Sequence, residues 1–206
     1  MIQNVKGTKD LLPEVIGKWQ YIQKLFKQIS EQYNYQEIRT PVFEKTEVFS
    51  RSIGEATDIV NKEMYTFLDK SEESITLRPE LTASIARAVL QHSLLQQSPN
   101  LRFWYFGPFF RYEQPQKGRM RQFHQYGAEC IGSQFPESDA EIIMLASRIF
   151  NSFGINDFKL IINSLGNSES RTKYRQALID YLKYNEQKLS KDSQIRLQIN
   201  QLRILD

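Results

Sequence analysis

The chain has 206 residues, of which 40% are hydrophobic and 25% charged, with a formal net charge of +3. That composition excludes an intrinsically disordered tail, and its mild basicity permits a polyanionic partner such as RNA without requiring one. The lone cysteine, Cys130, excludes an internal disulfide framework and argues against a cysteine zinc site; with no apolar signal run at the N-terminus and no stretch near the ~18 apolar residues of a membrane span, the expectation is a soluble, cytoplasmic protein.

Residues 13–33 predict a helix. Val15, Trp19, Ile22, Phe26, Ile29 and Tyr33 recur at steps of four and three and make one apolar stripe, a core or dimer face. Pro13 suits the first turn, where its missing N–H is not needed. YQEIRTPVFEK, residues 35–45, reads as a strand with Ile38, Thr40 and Val42 alternating against polar neighbours. Pro41 cannot donate to a ladder and marks an edge, a bulge or a strand end; a partner subunit is one way to cover such an edge.

Residues 64–68 and 74–78 read as a hairpin across the polar turn Asp69–Glu73. A helix is expected from Glu80 to Leu95, just after Pro79. LRFWYFGPFFRYE, residues 101–113, is a buried strand with a bend at Gly107 and Pro108. FHQYGAECIGS, residues 123–133, returns antiparallel to it, and long ordered loops such as the one between them are usually functional. Ser138 and Glu141 spell an S-x-x-E capping box for a helix running to about Phe153, with Gly154 past its end. FKLIIN, residues 158–163, reads as a strand. From about Ser168 the chain is helical and polar, with Tyr174, Leu178, Tyr181 and Leu182 on one stripe. The order implies an α+β fold, a mixed and mainly antiparallel sheet flanked by helices. The composition shift at 166–168 is the one candidate boundary.

The loop between the paired strands carries Arg111, Lys117, Arg119 and Arg121, with Glu113 beside them. Arginine offers a planar fork for phosphate or carboxylate, and several cations together neutralise a triphosphate and the charge that builds up during its transfer. Phe123 is placed to stack on a base, and Glu113 to accept from an exocyclic amine or to help hold magnesium. The plain alternative is a solvated, charged hairpin tip, but that explains poorly why Arg111 and Arg121 alternate into apolar strands. Neither G-x-x-x-x-G-K-[ST] nor G-x-G-x-x-G occurs, so any ATP site here works through side-chain cations.

FRYEQPQKGRMRQFHQYGAECIG, residues 110–132, resembles motif 2 of the class II aminoacyl-tRNA synthetases in its histidyl form. Three further blocks agree in order: VKGTKDLLP resembles the family's N-terminal RG-x-x-D-x-LP segment, EIRTPVFEKTEVFSRSIGEATDIVNKEMYTF its motif 1 and extension, and ITLRPELTA its LTLRPEGTA. The resemblance covers nearly the whole chain. It implies a class II synthetase-like fold and a histidine–tRNA ligase acting on L-histidine, ATP with Mg2+, and tRNA-His, as a homodimer. It also implies that Arg111 is catalytic and holds the α-phosphate and the amino-acid carboxylate. Glu113, Arg119, Arg121 and Phe123 would serve ATP; Glu80, Leu81, Thr82, Gln125 and Glu129 would line the histidine pocket.

Each of these residues also has a plain reading. Glu80 is a first-turn acid favoured by the helix dipole, Thr82 a surface residue, and Gln125 and Glu129 any polar strand face. His124 points to the opposite face by strand alternation and is structural; it and His92 stand too far apart to suggest a metal site. Cys130 reads as a small buried residue. Leu81 departs from the glycine found there in many bacterial members. The family's motif 3, G-x-G-x-x-R, and its R-G-L-D-Y-Y segment both need glycine, and no glycine follows Gly166. The expectation is therefore an incomplete catalytic domain over 1–166 and the start of a helical insertion domain over 167–206, inactive alone. A competing reading is the synthetase-like regulatory subunit of ATP phosphoribosyltransferase, a histidine sensor, although the full set Arg111, Glu113, Arg119, Arg121, Phe123, Gln125 and Glu129 favours the enzyme. A basic RNA-binding module is a third reading, for which the charge is weak and localised.

Overall fold

A computed structural model describes residues 1–53, 63–164, 166–199 and 201–204. Residues 54–62 of the motif 1 extension lie outside them. The chain falls into two compact units, Met1–Asn156 and Asp157–Asp206. The first runs α1 (Pro13–Gln32), β1 (Gln36–Glu37), β2 (Phe43–Lys45), α2 (Thr46–Ile53), β3 (Thr66–Leu68), β4 (Ser74–Leu77), α3 (Thr82–Gln91), α4 (Leu94–Gln97), β5 (Leu101–Phe110), β6 (Gln122–Ile131) and α5 (Pro136–Ser152).

β5 and β6 pair antiparallel over their full length, Leu101 opposite Ile131 and Phe110 opposite Gln122. β1 joins the other edge of β5 in parallel, giving the order β1-β5-β6, while β2, β4 and β3 form a second, antiparallel sheet. Strand alternation gives the β5–β6 ribbon two apolar faces. On one, Trp104, Phe106, Tyr126 and Ala128 pack with Ile29 of α1, Tyr35 and Leu145 and Ile149 of α5. On the other, Phe103, Phe109, Phe123 and Ile131 pack with Leu81, Ile85 and Val89. The apolar stripe of α1 is thus a core face: Trp19 lies against His124 and Phe26 stacks on Tyr126.

Several local expectations are corrected. The strand expected over 35–45 is two strands in two sheets. The chain leaves the first sheet after Ile38, whose N–H still reaches Trp104 O at 3.0 Å, and Pro41, with no N–H to pair, sits where it crosses to the second. The helix expected over 80–95 is also two, because Ser93 takes a φ of 51° and a right-handed helix cannot run through that conformation. Gly107 and Pro108 do not interrupt β5. The Pro108 carbonyl points away from β6 and accepts from Arg78 Nε at 2.9 Å, so the N–H that proline lacks would have pointed away as well. Cys130 is only half-buried.

Ser138 and Glu141 do not form a capping box. Phe135 is the N-cap of α5 with no side-chain bond, Pro136 opens the helix, and Ser138 Oγ donates to Ser133 Oγ at 2.6 Å. Glu141 is drawn into a stronger set of partners. It accepts from Arg102 Nε at 2.8 Å and from the Tyr35 hydroxyl at 3.0 Å, tying α5 to β5 and to the turn after α1. A pair in which both partners are charged outweighs a carboxylate's bond to a neutral backbone N–H. The Arg102 bond, then the Tyr35 bond, hold the Glu141 carboxyl below its usual value near 4.5. Its folded value lies below its unfolded one, so its contribution is present above the unfolded value and lost as pH falls through the folded one. Urea unfolding of Glu141→Gln is expected to show a deficit of about 1–2 kcal/mol at neutral pH, shrinking below pH 4.5 as the parent carboxyl takes its proton. A deficit that stays constant down to acid pH would sink this assignment.

In the second unit, α6 (Ser168–Tyr184) starts at Asn167, whose side chain accepts from Ser170 N. It is followed by a 3-10 turn at Glu186–Lys188, α7 (Lys191–Ile199) and a second 3-10 turn at Gln201–Ile204. Leu178 and Leu182 of α6 are buried with Leu197, while Tyr174 and Tyr181 of the expected stripe are exposed. Residues 158–163 are not a strand, and Leu160, Ile161 and Ile162 stand in solvent. Their apolar run supplies propensity, but a strand also needs a neighbouring edge to pair with.

Candidate functional site

Seen along β6, the residues singled out in the sequence divide into a cationic and an acidic end. At the cationic end, Arg111 follows β5 directly, and its main-chain N–H donates to Arg121 O at 3.0 Å, closing the base of the loop. Its Nε donates to the carbonyl of Pro79 at 3.0 Å, and its guanidinium lies 5.3 Å from the Phe123 ring centre. Phe123 in turn stacks on Phe109, so the guanidinium caps a column of two rings rooted in the core. Arg121 lies over the Tyr112 ring at 4.0 Å and donates to Glu113 O at 3.3 Å. Arg119 pairs with the Glu113 carboxylate at 3.3 Å. Glu63, Tyr112, Glu113, Gln114, Gln116 and Arg119 surround a recess of about 320 Å³. The solvated-tip reading suits Lys117, which is exposed beside Gly118 at the turn. It does not suit Arg111 or Arg121, whose stems are held at the base.

At the acidic end, Glu80 is not the first-turn acid of its plain reading: it precedes Leu81, the N-cap of α3, and its carboxylate reaches forward to accept from Ala83 N. Thr82 is not an isolated surface residue, since its hydroxyl donates to Glu129 Oε1 at 2.7 Å across to β6. Burial pushes the Glu129 carboxyl above its usual value, the Thr82 hydrogen bond opposes this, and the neighbouring Glu80 charge adds to it. A cation bound at this end would relieve the repulsion that the Glu80 charge exerts on Glu129. Gln125 lies on the same face of β6, between Phe123 and Glu129 and opposite Gly107. Leu81 is 2% exposed and packs into the apolar cluster with Ile85 and Phe109, so it backs this end rather than lining it. His124 is on the opposite face, against Trp19 and Phe106, and burial lowers its pKa.

Sequence reasoning missed Tyr105, with the Gly127 beneath it, and Arg78. Tyr105 faces the acidic end; burial, then the charges of Glu129 and Glu80, push its phenol up to about 12, against a hydrogen bond with Thr82. Its ring lies over Gly127, where an added Cβ would come 2.2 Å from Tyr105 Cζ. A glycine in the interior of a strand was the available signal. Arg78 is 6% exposed and donates to Pro108 O and, through Nη1, to Thr40 O at 3.0 Å, with its guanidinium 5.0 Å from the Phe109 ring. It fastens the end of β4, and with it Pro79 and Glu80, to β5. Gly107 leaves room for it, since a Cβ there would meet Arg78 Nη2 at 2.7 Å. Nothing in the sequence pattern separates this arginine from a surface one.

The arrangement suits an elongated ligand with an anionic, base-bearing end and a cationic end. The histidyl-tRNA synthetase family profile matches residues 7–184. Histidine–tRNA ligases of Streptococcus suis and Cyanothece are 56% and 54% identical to the whole chain, which covers 48% of each. The solved apo histidyl-tRNA synthetase of Staphylococcus aureus superposes with a TM-score of 0.78 at 41% identity, over 99% of this chain and 48% of that one. A Bacillus halodurans structure described as an ATP phosphoribosyltransferase regulatory subunit/histidyl-tRNA synthetase gives a TM-score of 0.69 at 27% identity, over 96% and 54%. The chain spans about half the length of the curated relatives it matches.

Proposed function

The chain belongs to the histidyl-tRNA synthetase family, and from that premise we propose that it carries the ATP- and histidine-binding face of a class II histidine–tRNA ligase. The observation that supports this best is the order of groups along one face of the β5–β6 ribbon: cations stacked on aromatic rings at one end, two carboxylates with two hydroxyls at the other. The polyphosphate and adenine of ATP lie at Arg111, Arg119, Arg121 and Phe123. The histidine ammonium lies toward Glu80 and Thr82, and its side chain toward Gln125 and Glu129, with Leu81 as the apolar support behind them.

The chemistry is attack of the histidine carboxylate on the α-phosphorus of ATP, with pyrophosphate leaving and histidyl-adenylate formed, followed by transfer to tRNA-His. The attacking group arrives with the substrate, so the step needs positioning and positive charge and no protein nucleophile. Arg111 holds the carboxylate and the α-phosphate together. Magnesium, when bound with ATP, would neutralise phosphate charge, and Glu113, one of two carboxylates at the recess with Glu63, fits a role in holding it; magnesium commonly takes one or two carboxylates and completes its shell with phosphate and water. Residues 1–166 make up part of the catalytic domain and residues 167–206 begin an insertion domain.

We place the protein in the cytoplasm, as a homodimer. The exposed Val42, Phe43 and Phe67 beside Pro41 support an apolar partner surface there. The histidine-sensor reading rests on a likeness at 27% identity, against 56% for the ligase. Calorimetric titration of the 206-residue chain with ATP, with histidine and with histidyl-sulfamoyl-adenosine, a stable mimic of the adenylate, tests the proposal. The mimic is expected to bind more tightly than either substrate. Histidine binding with no response to ATP or the mimic would favour the sensor, and no binding of any of the three would sink both.

A further inference from the structure

The first twelve residues are mostly exposed, Ile2, Val5 and Leu12 among them, and Gly7 alone is buried. A small turn sets its place. Thr8 N–H and Thr8 Oγ1 both donate to Val5 O, at 2.9 and 2.7 Å, and Asn4 Nδ2 donates to Thr8 O at 3.1 Å. Gly7 sits inside that turn with a φ of +86°, a conformation that glycine adopts without the cost a side chain brings.

Two contacts join this turn to the far end of the cationic loop. The Gly7 carbonyl accepts from the main-chain N–H groups of both Arg121, at 2.8 Å, and Gln122, at 3.1 Å. The space where a Cβ of residue 7 would stand is taken by the Arg121 stem, with Cγ at 2.7 Å and Cβ and Cδ each at 3.0 Å. The main chain of Arg121 and the direction of its side chain are therefore both set by one glycine more than a hundred positions earlier in the sequence. Beyond that stem, the guanidinium reaches the Tyr112 ring and Glu113 O.

We propose that Gly7 is a positioning residue for the nucleotide side of the site: the Val5–Thr8 turn clamps Arg121 so that its guanidinium is presented to the polyphosphate of a nucleoside triphosphate. This rests on the reading of the cationic end as the ATP side. The clamp accounts for why an otherwise exposed N-terminal segment contributes one buried residue, and why that residue has no side chain. A cation that must meet a phosphate from a flexible stem loses less rotamer freedom on binding when the stem is already fixed.

The experiment uses the full chain and the variants Gly7→Ala, Gly7→Asn, Arg121→Ala and the double variant Gly7→Ala/Arg121→Ala. Asparagine tolerates the left-handed conformation better than alanine but still carries a Cβ, so it separates the backbone demand from the contact with the stem. In ¹⁵N spectra, the Arg121 Nε–H signal of the parent is expected to show the ring-current shift of Tyr112, and both glycine variants to lose it. Exchange of the Arg121 and Gln122 amides is expected to quicken in both, with Trp104 in β5 unchanged. ATP affinity should fall about tenfold in Gly7→Ala, with histidine affinity unaffected, and the same substitution should have no further effect when Arg121 is already alanine. Unchanged Arg121 signals, full recovery with asparagine, or an equal loss of ATP affinity in the Arg121→Ala background would each overturn the clamp. If the parent binds no ATP, the nucleotide reading of the site fails, and the Arg121 signals alone decide whether Gly7 fixes that side chain.

Discussion

Arg111→Ala is expected to weaken binding of histidyl-sulfamoyl-adenosine by about 2–5 kcal/mol, roughly 30- to several-thousand-fold, measured by calorimetry on the full chain. Two neighbours hold the guanidinium before any ligand arrives, the Pro79 carbonyl bonded by Nε and the Phe123 face, and the main-chain N–H of Arg111 closes the base of the loop on Arg121 O. Such preorganisation is what makes a cation effective against charge that develops during a reaction. Arg111→Lys is expected to recover little, because an ammonium cannot bond Pro79 O and still offer a planar fork to a carboxylate and a phosphate. Folding should be nearly unaffected, since the bond lost to Pro79 is one hydrogen bond, about 1 kcal/mol. A loss of affinity below threefold, with the urea midpoint unchanged, would remove Arg111 from the site.

Phe109→Ala should be the most damaging single change to folding. The ring is fully buried, packs with Leu81 and Ile85, stacks on Phe123 and has the Arg78 guanidinium over it at 5.0 Å. Truncating a buried phenylalanine costs about 3–5 kcal/mol from lost transfer energy and the cavity left behind. Here the cavity would open beneath both Phe123 and Arg78, so the loss should fall at the upper end and should also loosen the acidic end, which Arg78 fastens through Pro79. Phe109→Leu, which leaves less of the space empty, is expected to cost about half as much. Urea unfolding at neutral pH gives both numbers; a loss below about 1 kcal/mol for the alanine variant would show that the cluster repacks.

Much of the scaffold was legible because it rests on period. The stripe of α1, the hairpin of β3 and β4 and the long β5–β6 pair follow directly from apolar spacing. The grouping of Arg111, Glu113, Arg119 and Arg121 was legible because those residues lie within one loop between paired strands. What could not be read is what depends on partners distant in sequence. The capping box at Ser138 and Glu141 satisfies every local rule, yet Glu141 is taken by Arg102 and Tyr35. Residues 158–163 have the composition of a strand, and composition does not supply an edge to pair with. Gly7 and Arg121 lie more than a hundred positions apart in the sequence, and no spacing rule joins them. Tyr105 looked like one aromatic among several in β5 until its ring was seen to cross Gly127 toward Thr82.

That crossing bears on how the site tolerates inherited change. Every amino acid other than glycine carries a Cβ, so every missense codon at position 127 puts an atom into the space that Tyr105 occupies. A substitution at 127 alone therefore drives the phenol away from Thr82 and Glu129. A small residue at 105 removes the obstacle. Positions 105 and 127 are expected to vary as a pair, with a side chain at 127 accepted only in chains that have already given up the large ring at 105, and random mutagenesis with selection for the adenylate mimic should recover the double change while leaving the single one at 127 unsampled.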